Sequence, residues 1–324
     1  MMRLLEQLIL LIAVIFGLTI FIKTSSARFH SSNFSERHSH DAILTAVRGM
    51  SASNCAVFVR SWFRNIANAE LFIFTEIRPS TRQYWADYFS REHRTGRLHI
   101  MEFNYSLWTF NEFQMDRHVI YLDFMKHHGN RFRYVLTADI RDVVFQGNPF
   151  DNPYFRNVTA APMVFALEDV FFGYELYNAL WIKGIFGAHA LPNFLGKQIS
   201  NSGVVMGPAH AMVQYLGLLT SIVPVGFERD QGMDQGVHNY IVHEVLERST
   251  KKPFNYVLPS NGVVVFTVGT LANFEEVLGW NDSLKVAFRL RWNLAVPPVV
   301  HQFDRHPYIN SMILEHYSAT SPSR

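Results

Sequence analysis

The sequence predicts an α/β domain, a wound and mostly parallel sheet flanked by helices. Three observations predict it. From residue 42 to residue 137, short apolar runs of strand length alternate with segments of helical period. The fourth run, 134–137, ends in two acids, Asp139 and Asp142, at the kind of position where open α/β sheets bind ligands. Finally, 324 residues with a 48% apolar share are enough for one large core.

Taken in order, residues 42–47 read as the first strand. Asn54 is placed to cap a helix to residue 66, because Cys55, Val59, Trp62 and Ile66 recur at helical spacing. Residues 70–75 form the second strand, and Pro79 and Ser80 open a second helix. Residues 98–103 form the third strand. A third helix follows from Met115, with Val119, Leu122 and Met125 on one face. The strand at 134–137 completes the alternation. Beyond it the pattern loosens. Residues 164–167 read as a strand followed by Glu168 and Asp169, then an aromatic-rich helix at 174–181. Residues 184–198, with scattered Gly, Pro and His, read as a loop able to close over a site. Residues 200–207 read as a short strand entered through a tight turn, and Pro208 starts a helix to 222. Residues 230–236 read as a loop leading into another helix, 263–268 as a strand, and 299–307 as a late strand with polar residues at its end.

The N-terminus carries a different signal. Residues 8–22 are an unbroken apolar, Gly and Thr run, extended upstream by Leu4 and Leu5, which approaches the roughly 20 residues of a membrane span. Residues 1–24 are therefore expected to be a cytosolic tip and transmembrane signal-anchor. Residues 25–40, rich in Ser and His, would be a stalk, and 41–310 the folded domain, halved at 150. Residues 311–324 are expected to be a tail. The sequons at Asn33, Asn104, Asn157 and Asn281 agree with entry of the domain into the secretory pathway. Secretion after cleavage near Ala27 is the alternative. A net charge of +2 and no basic stripe argue against a nucleic-acid partner. Cys55 is the only cysteine, so no internal disulfide forms, and its apolar helical face suits an inert thiol.

Two carboxylates at one strand end repel unless a cation lies between them, and their hard oxygens suit Mg²⁺ or Mn²⁺. The plain alternative is that Asp142 caps a turn while Asp139 pairs with Arg141. The order of four segments adds to this: Val-Leu-Thr-Ala-Asp-Ile-Arg-Asp-Val-Val-Phe-Gln at 135–146, Asn-Ser-Gly-Val-Val-Met-Gly at 201–207, Met-Asp-Gln-Gly-Val-His-Asn at 233–239, and Val-Val-His-Gln-Phe-Asp-Arg-His-Pro at 299–307. Together they resemble nucleotide-sugar-dependent glycosyltransferases of the GT-A fold, over about residues 41–307.

The resemblance implies a GT-A-like sheet and transfer of a sugar from a nucleotide-sugar donor to a glycan or glycoprotein acceptor. It implies a Mn²⁺ or Mg²⁺ ion held by Asp142 and His301, with Arg305 and His306 near the leaving diphosphate. The chain departs from the usual Asp-x-Asp, since Ile140 stands where the first acid would be and Asp139 lies one residue earlier. Three roles stay open for Asp139: metal contact, donor ribose contact, or partner of Arg141. Asn201, Ser202 and Gly203 would meet sugar hydroxyls; their other reading is an ordinary turn. Asp234 and Gln235 correspond to the sugar-side or acceptor-side pair, with Asp234 either a general base or a hydroxyl ligand. Arg117 either reaches the nucleotide or is an exposed helix arginine. A haloacid-dehalogenase phosphatase would need an acid where Arg141 stands. A catalytically silent sugar- or nucleotide-binding protein on the same fold is the remaining alternative.

Overall fold

The computed structural model describes residues 40–75, 79–103, 110, 112–157, 160–223, 232–269, 277–278, 289–290 and 295–318. The apolar run at 8–22, the stalk up to residue 39 and the sequons at Asn33, Asn104 and Asn281 lie outside them. Among the described residues no helix is long and apolar enough to cross a membrane.

The main sheet grows outward from β1 (His40–Val47). Its side chains alternate between the two faces, as strand geometry requires. Leu44 joins a core beneath one set of helices, while Ile43 joins the core on the opposite face. β2 (Ala69–Thr75) divides in the same way, Phe72 and Phe74 to one side and Leu71 and Ile73 to the other. With β3 (Leu98–Glu102) and β4 (Phe132–Ala138), these strands run parallel. Strands covered on both faces read as continuous apolar runs, which is why the sequence displayed them clearly.

The helices between them are α1 (Ala56–Asn65), α2 (Pro79–Tyr88) and α3 (Phe113–His128). α1 is entered through a one-turn 3₁₀ helix. Its cap is Ser51, three residues before the expected Asn54, whose side chain instead returns to the Ser51 amide to complete a capping box. Cys55 is buried there, and burial pushes its thiol up to about 12.

The second half of the chain enters the same sheet. β5 (Val143–Phe145) leaves it, β6 (Met163–Phe171) returns, and β7 (Gln198–Pro208) inserts antiparallel between β4 and β6. With β8 (Tyr256–Val257) at the edge, the order is β3-β2-β1-β4-β7-β6-β8. The two halves expected on either side of residue 150 share this one sheet, since β4 pairs with β7 across that boundary. β6 is also longer than predicted, so Glu168 and Asp169 lie within the strand rather than after it.

α4 (Leu176–Phe186) follows, and 184–198 is no open lid: Ala190 and Phe194 pack with Phe172, Ile182 and Ile199 in a small core. α5 (Ala209–Ile222) starts after Pro208 as expected. α6 (Met233–Tyr240) begins inside the predicted loop, so Asp234 and Gln235 stand in its first turn; it continues as one π-helical stretch, Ile241–Leu246.

A second sheet supports the site. β9 (Val265–Thr267) precedes a two-stranded ribbon, β10 (Val277–Leu278) with β11 (Arg289–Leu290), and then comes β12 (Val299–His301). β12 lies between β5 and β9, so its last residue is set opposite Val143 and Thr267. The chain closes with α7 (Pro307–Ser318), which corrects the expectation of a tail from residue 311. Ile309, Ile313 and Tyr317 are buried against Val144, Phe266 and Val300, and Arg60 donates to the Tyr317 carbonyl at 2.7 Å. Ile313→Ala should therefore cost about 2–5 kcal/mol. Thermal unfolding measures this, and an unchanged midpoint would mean that α7 does not support the domain.

Candidate active site

A cleft of about 1130 Å³ opens at the carboxyl ends of β1 and β4. β7 runs the other way, so its early residues reach the same edge: Val204 pairs with Ala138. Asp139 follows β4 directly, and its amide donates to the Gly203 carbonyl at 2.9 Å. Ile140 turns into the core. That inward turn lets Asp139 and Asp142, three positions apart, share one face of the cleft. The departure from Asp-x-Asp thus leaves the acids paired in space.

β12 brings His301 between them. Its Nε2 lies 3.6 Å from Asp139 Oδ2 and 3.6 Å from Asp142 Oδ1, and one ligand atom from each residue falls within 4.8 Å of the others. Asp142 Oδ1 and both His301 ring nitrogens are buried and have no hydrogen-bond partner among the described residues. Buried polar atoms are normally paired, and the lone pairs of Asp142 Oδ1 and of one His301 ring nitrogen are the kind that a divalent cation satisfies. Two carboxylates and an imidazole suit Mn²⁺ or Mg²⁺, so the residues fit the ion that the resemblance implied.

The protonation tendencies express the same strain. Burial pushes the Asp142 carboxyl above its ordinary range, with Asp139 and Asp304 adding to it against His301. Burial would lower His301, but Asp142 and Asp139 outweigh it and raise it. Asp139 would also be raised by burial, yet Arg117 and His301 hold it well below the usual carboxylate range.

Arg117 is not an exposed helix residue. It is buried on α3 and bridges two acids, donating to Asp139 Oδ1 through Nη1 and to Asp234 Oδ2 through Nη2 at 2.8 Å. Arg117, rather than Arg141, is thus the ion-pair partner of Asp139. Arg141 instead lies half exposed, 3.3 Å from Asp142 Oδ2 and 3.2 Å from Asp304 Oδ2. Burial would raise Asp234, but His118 and Arg117 lower it. A carboxylate so held is a weak proton acceptor, which favours hydroxyl recognition over general-base work.

The turn at 201–203 is held from beneath. Gln235 Nε2 donates to the Ser200 carbonyl at 2.9 Å, and its Oε1 accepts from the Ser202 amide at 2.8 Å. Asn201 Oδ1 accepts from the Gly203 amide at 2.8 Å, while its Nδ2 donates to Glu168 Oε1 at 2.7 Å. Glu168, a buried acid on the cleft wall, was given no role by the sequence; one buried position within a strand carries no signal of its own. Gly203 has a steric reason. A Cβ there would come within 2.5 Å of His301 Cε1 and 2.8 Å of Asp139 Oδ2, so only glycine lets β7 approach the acid–imidazole cluster.

Arg305 lies on the cleft rim, 3.5 Å from Asp304 Oδ1. His306 does not line the cleft; its Nε2 lies 3.1 Å from the Val268 carbonyl, so a diphosphate contact is not what its geometry offers. The structure thus gathers Arg117, Asp139, Arg141, Asp142, Asn201, Ser202, Gly203, Asp234, Gln235, His301 and Arg305 around one cleft and leaves His306 outside it.

No protein-family model matches this chain, and no curated protein matches it. Solved structures do. The galactosyltransferase LgtC, crystallised with donor and acceptor sugar analogues, matches over 87% of this chain and 97% of its own, at 14% identity and a TM-score of 0.50. An active-site variant of LgtC matches with the same coverage, at 15% identity and a TM-score of 0.50. The likeness is one of fold: this chain has the mixed α/β, GT-A-like architecture that its motifs resembled.

Proposed function

We propose that this chain is a glycosyltransferase, moving a sugar from a nucleotide-sugar donor to a glycan or glycoprotein acceptor with the help of Mn²⁺ or Mg²⁺. The observation that carries this reading is the cluster of Asp142, His301 and Asp139 on the wall of a large cleft, with its orphaned oxygen and nitrogens. When bound, a divalent cation would supply positive charge against the donor diphosphate.

The chain's own residues do the rest. Arg305, half exposed on the rim, adds charge where a leaving diphosphate would develop it. Asp234, fixed by Arg117, accepts from sugar hydroxyls. Gln235 and Asn201 hold the 201–203 turn in place, so that Ser202 lines the cleft where a donor sugar would lie and Gly203 leaves room for the acid–imidazole cluster.

The test is a donor-hydrolysis screen across nucleotide sugars, with Mn²⁺ and with chelator. Turnover of one donor, lost in chelator, is the expected result. Binding without turnover would favour a silent binding protein, and neither binding nor turnover would sink the proposal. The proposed setting is the Golgi lumen, with residues 8–22 as a single-pass anchor. Intact vesicles should then protect the domain from protease until detergent is added; digestion without detergent would refute that setting.

A further inference from the structure

The outer wall of the cleft is formed by α4 and the turn before it, and nothing above gives its surface a role. Tyr174 is 90% exposed, Leu176 67% and Tyr177 64%, a concentration of large exposed apolar side chains on one short segment. Tyr177 and Trp181 both line the cleft, their ring centroids 6.3 Å apart and tilted by 34°. Asn178 lines it between them, nine-tenths buried, with an Oδ1 that has no partner among the described residues. Its Nδ2 is already used on Glu175 Oε2 at 2.9 Å. An orphaned acceptor of this kind costs free energy until a donor reaches it.

The wall's chemistry differs from that of the opposite side. No Lys or Arg of α4 lines the cleft, and the charge present there is the Glu175 carboxylate, which caps the helix through the Tyr177 and Asn178 amides. Such a surface repels anions. It suits a ring with C–H groups on one face and hydroxyls at its rim. The cleft, at about 1130 Å³, lies near the upper end of the roughly 300–1,000 Å³ of small-ligand pockets.

We propose that the α4 wall is a binding subsite for an uncharged pyranose, stacked by its C–H face on Tyr177 and Trp181 with a hydroxyl donating to Asn178. Calling that sugar the acceptor rests on the glycosyl-transfer reading; the binding of the sugar does not.

The test is saturation-transfer NMR on the full-length chain in detergent, with methyl β-galactopyranoside, methyl β-glucopyranoside and methyl β-glucuronide as probes. Ring C–H protons of at least one neutral probe should take up saturation, and the glucuronide should take up less. Tyr177→Ala should weaken the effect about threefold or more, and Tyr177→Phe should retain it. Matched thermal unfolding shows that each variant is folded, as expected for so exposed a position. No saturation of either neutral probe, or an unchanged effect in Tyr177→Ala, overturns the subsite. So does saturation passing to detergent acyl chains in place of the sugars, which would make the wall a lipid contact. A parallel titration with Mn²⁺ and nucleoside diphosphates separates the two readings. Sugar binding without nucleotide binding keeps the subsite and sinks the transfer reading; the reverse sinks the subsite alone.

Discussion

Asp142→Asn is expected to lower turnover by about two powers of ten or more, roughly 3 kcal/mol in the barrier. Asparagine keeps the size of a side chain that is only 3% exposed, so the core at the start of β5 stays filled. What it removes is the charge that Asp142 Oδ1, orphaned in the cleft, would offer to a cation. Mn²⁺ binding, followed by titration of the free ion, should weaken along with turnover. His301→Ala should lose less and recover in part at raised Mn²⁺, since water can fill one coordination position. Normal turnover by Asp142→Asn, or full activity in chelator, would make the acidic pair structural. Arg141 and Arg305 would then carry the diphosphate alone.

Arg117→Met should have the largest effect on stability. The guanidinium is buried and serves Asp139 and Asp234 together. Methionine matches its bulk but leaves both acids without their counter-charge, and breaking a buried pair in this way costs about 3–5 kcal/mol. At about 2–4 °C per kcal/mol for a domain of this size, the midpoint should fall by roughly 6–20 °C. Adding Asp234→Asn to Arg117→Met should restore part of the loss, because one of the two stranded charges is then gone. An unchanged midpoint in Arg117→Met would show that solvent reaches these acids and that the bridge contributes little.

The parts of the chain that could be read in advance are those in which local pattern and tertiary role agree. β1, β2 and β4 are buried on both faces, and their apolar runs announce it. Asp139, Asp142 and His301 stand out because charged or ionisable groups end apolar strands. Arg117 was left with two roles for the opposite reason: a helix arginine looks the same in sequence whether it meets water or two acids contributed by distant elements. β7 was found as a strand, but its direction was not, since an apolar run reads alike either way. Asp234 was placed in a loop because α6 starts on Gly232 at positive φ, with no side-chain cap to mark it. The helix hidden in the supposed tail carries Ile309, Ile313 and Tyr317 at helical spacing, a short signal among polar residues. The aromatic segment at 174–181 was visible, but exposure is what gives it meaning, and exposure is a property of the folded chain.

The pairing of β12 with β5 also fixes an order of assembly. Both acids leave the ribosome with the first half of the domain, whereas the imidazole arrives only with the last strand. At about 5–20 residues per second, the interval between Asp142 and His301 is about 10–30 s. For roughly the first two-fifths of that interval β4 lacks its neighbour β7 and presents an open, apolar edge, the kind of surface that associates with other chains. Closure of the acid–imidazole cluster therefore records that synthesis has passed residue 301 and that the long-range strand pairing is made. A chain stalled or truncated before β12 would carry the carboxylates without their third partner, so tight cation uptake would distinguish finished molecules from unfinished ones during biogenesis.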